Sequence, residues 1–123
     1  MAEQKTVLIV AADLGFVFWV GQTLGNHGFQ AVPATSVASA NKLLHEFHLQ
    51  VDVLIVDPAL DGAVRLAETL HRAPHHARVI AVGHEGEYRL PIVDVWKEKP
   101  PKSSSPAVDS WIQAVESQAV GAR

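Results

Sequence analysis

Asp57 and Lys99 are the two residues of this sequence whose types and places suit chemistry done together. Asp57 ends the apolar run Val51-Asp52-Val53-Leu54-Ile55-Val56-Asp57, and Lys99 stands before Pro100 after a later apolar run. An acid and a cation at strand ends form at least an ion pair, and any reaction the chain performs centres on Asp57. Other candidates read as ordinary surface. His71, His75 and His76 cluster around Pro74, where neighbouring histidines in a turn are solvated, and no metal is expected there. Ser103-Ser104-Ser105 has no His-Asp arrangement beside it and reads as a polar hinge. With no cysteine in the chain, disulfides, thiolate catalysis and Cys-based zinc or iron–sulfur sites are excluded.

The elements that must position Asp57 and Lys99 follow from hydrophobic period. Thr6 to Ala12 is a short, β-branched and nearly continuous apolar run, as a strand covered on both faces requires. Phe16, Val20 and Leu24 recur at helical spacing, and this segment closes at the turn Gly25-Asn26-His27-Gly28. Phe29 to Ala34 is a weaker strand. Ser36 can cap a helix whose Ala40, Leu43, Leu44 and Phe47 form one stripe, and Val51 to Val56 is the strongest strand. Gly62 opens a helix carrying Ala63, Leu66, Ala67 and Leu70. Arg78 to Val82 and Pro91 to Trp96 supply the fourth and fifth strands, and a last helix with Val108, Trp111, Ile112 and Val115 follows Pro106.

Strands alternating with helices imply parallel pairing, because each parallel connection needs a crossover long enough to lie over the sheet. The expected fold is α/β: a three-layer, doubly wound, parallel five-stranded sheet of flavodoxin-like type. At 123 residues, 48% hydrophobic and 19% charged, it is one domain over residues 1–123, with a polar hinge at 101–105. In such sheets ligands collect beyond the carboxyl ends of the strands. The residues there are Ala11, Ala12 and Asp13; Asp57 and Pro58; Gly83 and His84; Lys99 and Pro100.

On these residues the sequence resembles a response-regulator receiver domain of the CheY-like superfamily over nearly its whole length. In that family an Asp ending the third strand accepts a phosphoryl group from a histidine kinase, and a Lys-Pro after the fifth strand supplies the Lys that contacts it. Asp57 and Lys99-Pro100 match. Trp96 falls where the family carries an aromatic whose rotamer reports phosphorylation, and Gly28-Phe29 matches the close of the first helix. A carboxylate attacking a phosphoryl group must be held in line while negative oxygens are neutralised. The family therefore adds two acids after the first strand to hold Mg²⁺, and a Thr or Ser after the fourth strand.

The sequence departs from the family at these auxiliary positions. The acid pair aligns with Ala11 and Ala12, leaving Asp13 at the next position, and the hydroxyl position aligns with Gly83. The loop from Asp57 to Gly62 is shorter than the family's and lacks its Met-Pro, and Pro58 holds Asp57 extended. The stretch from Gly83 to Lys99, interrupted by Gly86 and Pro91, implies that the fourth helix is shortened or missing. The resulting expectation is a degenerate receiver, not an enzyme, that acts through protein–protein contact in two-component phosphorelay signalling. Asp57 is then the phosphoacceptor equivalent, and no cofactor is expected. Two alternatives stand beside it. One is a working phosphoacceptor, labelled on Asp57 by a histidine kinase, with Mg²⁺ held by Asp13 and Asp57. The other is a flavodoxin-like cofactor binder, but Ala11-Ala12-Asp13-Leu14-Gly15 lacks the hydroxyls of a phosphate-cradling loop.

Phe16-Val17-Phe18-Trp19-Val20 is apolar all round, where a helix packed on a sheet needs a single stripe. Val17 and Phe18 are expected to face outward, making Phe16, Val17, Phe18 and Trp19 a candidate interface. The expected partner is a histidine kinase, a phosphotransfer protein, another signalling protein or a second copy through this helix. The net charge of −3, with scattered cations, argues against nucleic acid. No apolar run is long enough for a membrane span, and the first residues lack a signal-peptide core, so a cytoplasmic location is expected.

Overall fold

A computed structural model describes residues 4–74, 76–83, 92–97 and 105–121, with side chains in the last segment given for 109–119. Five strands, β1 (Thr6–Val10), β2 (Gln30–Ala34), β3 (Val53–Val56), β4 (Arg78–Val82) and β5 (Val95–Lys97), form one sheet in the order β2-β1-β3-β4-β5. Every pairing is parallel. Four helices connect or follow them: α1 (Leu14–Asn26), α2 (Val37–Phe47), α3 (Ala63–Arg72) and α4 (Ser105–Gly121). This is the expected doubly wound α/β architecture.

Side-chain alternation along the strands sorts the core into two layers. Val7, Ile9, Val53, Ile55 and Ile80 point to one face and pack with Phe16, Val17, Val20 and Leu24 of α1 and Trp111, Val115 and Ala119 of α4. Leu8, Val10, Leu54, Val56, Val79 and Ala81 point to the other, against Ala40 of α2 and Ala63, Leu66 and Ala67 of α3. Both faces being covered explains the unbroken apolar runs of β1 and β3, all of whose residues are buried.

Element ends differ from the periodicity reading for identifiable reasons. The third strand begins at Val53 because the Asp52 carboxylate turns back to accept the Thr6 amide at 2.7 Å, while the Asp52 amide donates to the Thr6 carbonyl at 3.0 Å. Asp94 does the same at the start of β5: its carboxylate accepts from the Val79 amide at 2.8 Å and its amide donates to the Val79 carbonyl at 2.9 Å. That strand therefore runs from Val95, not Pro91. α1 starts earlier than expected, at Leu14, because Asp13 caps it. Residues 84–91, where the fourth helix was expected to be shortened or missing, lie outside the described residues.

Candidate functional site

The carboxyl ends of β1, β3 and β4 meet at one rim. The Asp57 amide donates to the Val10 carbonyl at 2.9 Å, extending the β1–β3 ladder by one step, so Ala11 and Ala12 leave β1 beside Asp57. Ala11 is 2% exposed and donates to the Ala34 carbonyl, whereas Ala12 is exposed. Asp57 is half-buried. One of its carboxylate oxygens, Oδ1, accepts the Ala59 amide at 3.0 Å, an Asx turn across Pro58, and its carbonyl accepts the Leu60 amide at 3.2 Å. A second turn, Ala63 amide to Leu60 carbonyl, delivers the chain to Gly62, which enters α3 at φ +80°. These consecutive turns explain how so short a loop reaches α3.

Asp13 is committed to α1. Its Oδ1 accepts the Phe16 amide at 3.1 Å, a helix N-cap that satisfies a backbone donor left without an intrahelical partner. Gly83, at the end of β4, sits at φ +132° and donates its amide to the Lys97 carbonyl at 2.9 Å. Only glycine reaches this backbone region without strain. Beyond β5, Lys99 and Pro100 lie outside the described residues, as do His84 and His75.

The neighbouring Lys97 is described, and the sequence reading missed it. It is the last residue of β5, and its Nζ donates to Ser110 Oγ of α4 and stands 5.6 Å from the centre of the Trp111 ring, within cation–π range. Trp111 in turn meets Phe16 edge-on, with ring centres 5.4 Å apart and planes at 66°. Alternation with Trp96 was the available signal: consecutive strand residues face opposite layers, so Lys97 belongs with α4. Trp96 is half-buried against the α2/α3 layer.

No protein-family model matches the sequence, and no curated protein matches it. Solved structures do match. A response regulator from Thermotoga maritima gives a TM-score of 0.75 at 17% identity over 96% of this chain and 99% of that one. The chemotaxis response regulator CheY4 of Vibrio cholerae gives 0.73 at 14% identity, over 94% of this chain and 99% of that one. A CheY-like receiver domain from Methylobacillus flagellatus gives 0.63 at 22% identity, over 89% and 99%. This chain has the fold of a response-regulator receiver domain.

Placed on the receiver fold, the rim can be tested as a Mg²⁺ site. Mg²⁺ takes an octahedron of oxygens, usually keeping several waters and using one or two protein carboxylates. Ala11 and Ala12 offer methyl groups beside Asp57, Asp13 gives Oδ1 to its helix and Asp57 gives Oδ1 to Ala59. Among the described residues no group of three or more His, Cys, Asp or Glu side chains is placed to hold a metal ion.

The candidate interface needs a correction. Val17 is 1% exposed and Phe16 is buried as well, because α1 packs on the sheet and against α4 at once, and two neighbours bury a wider sector than one. Phe18 faces outward as expected, at 64% exposure, with Trp19 half-buried at its flank. Leu14 joins Phe18 on the outer face. Among the described residues no helix is long and apolar enough to cross a membrane.

Proposed function

We propose that the chain is a non-catalytic receiver module that signals through protein–protein contact and is impaired in Mg²⁺-dependent phosphorylation. One observation carries the reading: the residues that follow β1 beside Asp57 are Ala11 and Ala12, whose side chains have no carboxylate to give a cation. Without the cation, a carboxylate facing a phosphoryl group meets uncompensated negative charge. Gly83 supports the same reading, since its backbone conformation is one that a hydroxyl-bearing residue adopts only with strain. Asp57 then serves as an anchored rim acid. Histidine kinases, phosphotransfer proteins or other signalling proteins are its partner class, and the cytoplasm its place of action. The test is incubation with a small acyl-phosphate donor and Mg²⁺, read by intact mass. The mass is expected to stay unchanged. Addition of one phosphoryl group, abolished in Asp57→Asn, overturns the proposal in favour of a working phosphoacceptor.

A further inference from the structure

We propose that the end of the sheet opposite the rim holds a second site, which binds an uncharged purine base or its nucleoside. This site shares no residue with the rim and does not depend on how Asp57 is used. A cavity of about 380 Å³ opens where β1, β2 and β3 begin, with Lys5, Gln30, Phe47, His48, Gln50 and Asp52 on its lining. Small-molecule sites span about 300–1,000 Å³, so one compact ligand fits.

The floor is set by polar groups already in place. Thr6 and Asp52 are each 7% exposed. The Asp52 carboxylate accepts the Thr6 amide at 2.7 Å, and the Thr6 hydroxyl donates to Gln30 Oε1 at 3.0 Å. With its oxygen held there, Gln30 has two amide N–H donors left for a ligand.

Two features of the wall are not explained by the fold. Phe47, the last residue of α2, is 64% exposed, although Ala40, Leu43 and Leu44 of the same stripe pack on the core. His48, next along the chain, is the helix C-cap at φ +49°, the left-handed conformation in which glycine is the usual residue. Its amide and that of Leu49 both donate to the Leu44 carbonyl, bonds that glycine at this position would make equally well. A side chain is thus kept at a strained position, beside an aromatic kept in water, and both line one cavity.

The lining selects the chemistry of the occupant. Lys5 and Asp52 bring one charge of each sign, so a strongly ionic ligand finds no net countercharge from them. Gln4, Gln30 and Gln50 surround the space with carboxamides, which both donate and accept and which match the adjacent donor and acceptor of an adenine edge. Phe47 supplies a ring face on which a base stacks. An aliphatic ligand would leave the carboxamides unpaired, and a phosphorylated one would bring its negative charge beside the Asp52 carboxylate.

Titration of the isotope-labelled full chain with adenosine, followed by amide NMR spectra, tests this. Shifts are expected at Thr6, Gln30, Phe47, His48 and Gln50, with the residues around Asp57 unmoved. Phe47→Ala is expected to weaken binding about tenfold, the loss of one base-stacking contact. His48→Gly is expected to weaken it as well while melting no lower than the parent, because glycine relieves the left-handed backbone. Inorganic phosphate, which has no base, is expected to leave these residues unmoved. The proposal is overturned by an unchanged spectrum at millimolar adenosine, by shifts centred on the rim, or by binding as tight in both variants as in the parent. Movement of the same residues by inorganic phosphate also overturns it, since the cavity is then an anion site.

Discussion

Restoring a hydroxyl at Gly83 is the direct way to ask whether the rim is one residue short of a receiver pocket or is built differently. At φ +132°, a side chain at this position strains the backbone by about 1–3 kcal/mol. Relaxing φ would avoid that strain but would swing the Gly83 amide away from the Lys97 carbonyl, 2.9 Å off, and losing this link between β4 and β5 costs about 0.5–1.5 kcal/mol. Either route is destabilising. With a urea m-value of about 1–3 kcal/mol/M, a loss near the middle of these ranges lowers the unfolding midpoint by about 1 M. Gly83→Ala and Gly83→Thr should therefore both unfold early, and the difference between them isolates what the hydroxyl and the β-branch add. Neither should gain phosphodonor labelling. Chemical denaturation followed by circular dichroism measures the midpoints. If both variants unfold at the parent's urea concentration, the backbone at Gly83 is free to adopt an ordinary conformation, and the argument that this position excludes a hydroxyl collapses.

Two further outcomes follow from burial at the two ends of the sheet. Ala12→Asp, on an exposed residue, should fold normally and make the melting temperature respond to Mg²⁺, whereas Ala11→Asp buries a carboxylate and should unfold or nearly so, since even the relaxed penalty of several kcal/mol rivals a domain's total stability of about 5–15 kcal/mol; parallel melts with and without Mg²⁺ separate the two. Asp52→Ala removes the 7% exposed carboxylate that accepts the Thr6 amide and leaves that donor unsatisfied, so stability should fall by about 1–3 kcal/mol; an unchanged melt would mean that water or a neighbour takes its place.

Much of the fold was legible because hydrophobic period reports burial directly. Arg78–Val82 is read from its β-branched run and observed over the same residues, and Ser36 caps α2 as its position before the Ala40-Leu43-Leu44 stripe implies. What escaped the sequence was the work of carboxylates on backbone amides. Asp52 and Asp94 trim the starts of two strands, and Asp13, read from the sequence only as a candidate metal acid, caps α1 through the Phe16 amide. Val17 was misjudged because a period shows that a helix has a buried side but not how many neighbours share it, and α4 arrives from far along the chain. At the site, Asp57 and the alanines beside it were visible as residue types at strand ends. The Asx turn that draws Asp57 toward Ala59, and the backbone angle that reserves Gly83 for glycine, are properties of conformation that residue names do not carry.

The placing of the indoles has a practical consequence. The chain has three tryptophans, and the two core layers do not share them evenly: Trp111 is enclosed between α1 and α4, Trp96 lies against the α2/α3 layer, and Trp19 rides half-exposed on the outer flank of α1. Variants retaining one indole each therefore provide separate fluorescent windows on the two sides of the sheet and on the helix surface. Coincident transitions from Trp111 and Trp96 would show that both layers melt as a single cooperative unit, while a spectral change confined to Trp19 would time events at the surface without disturbing the rim.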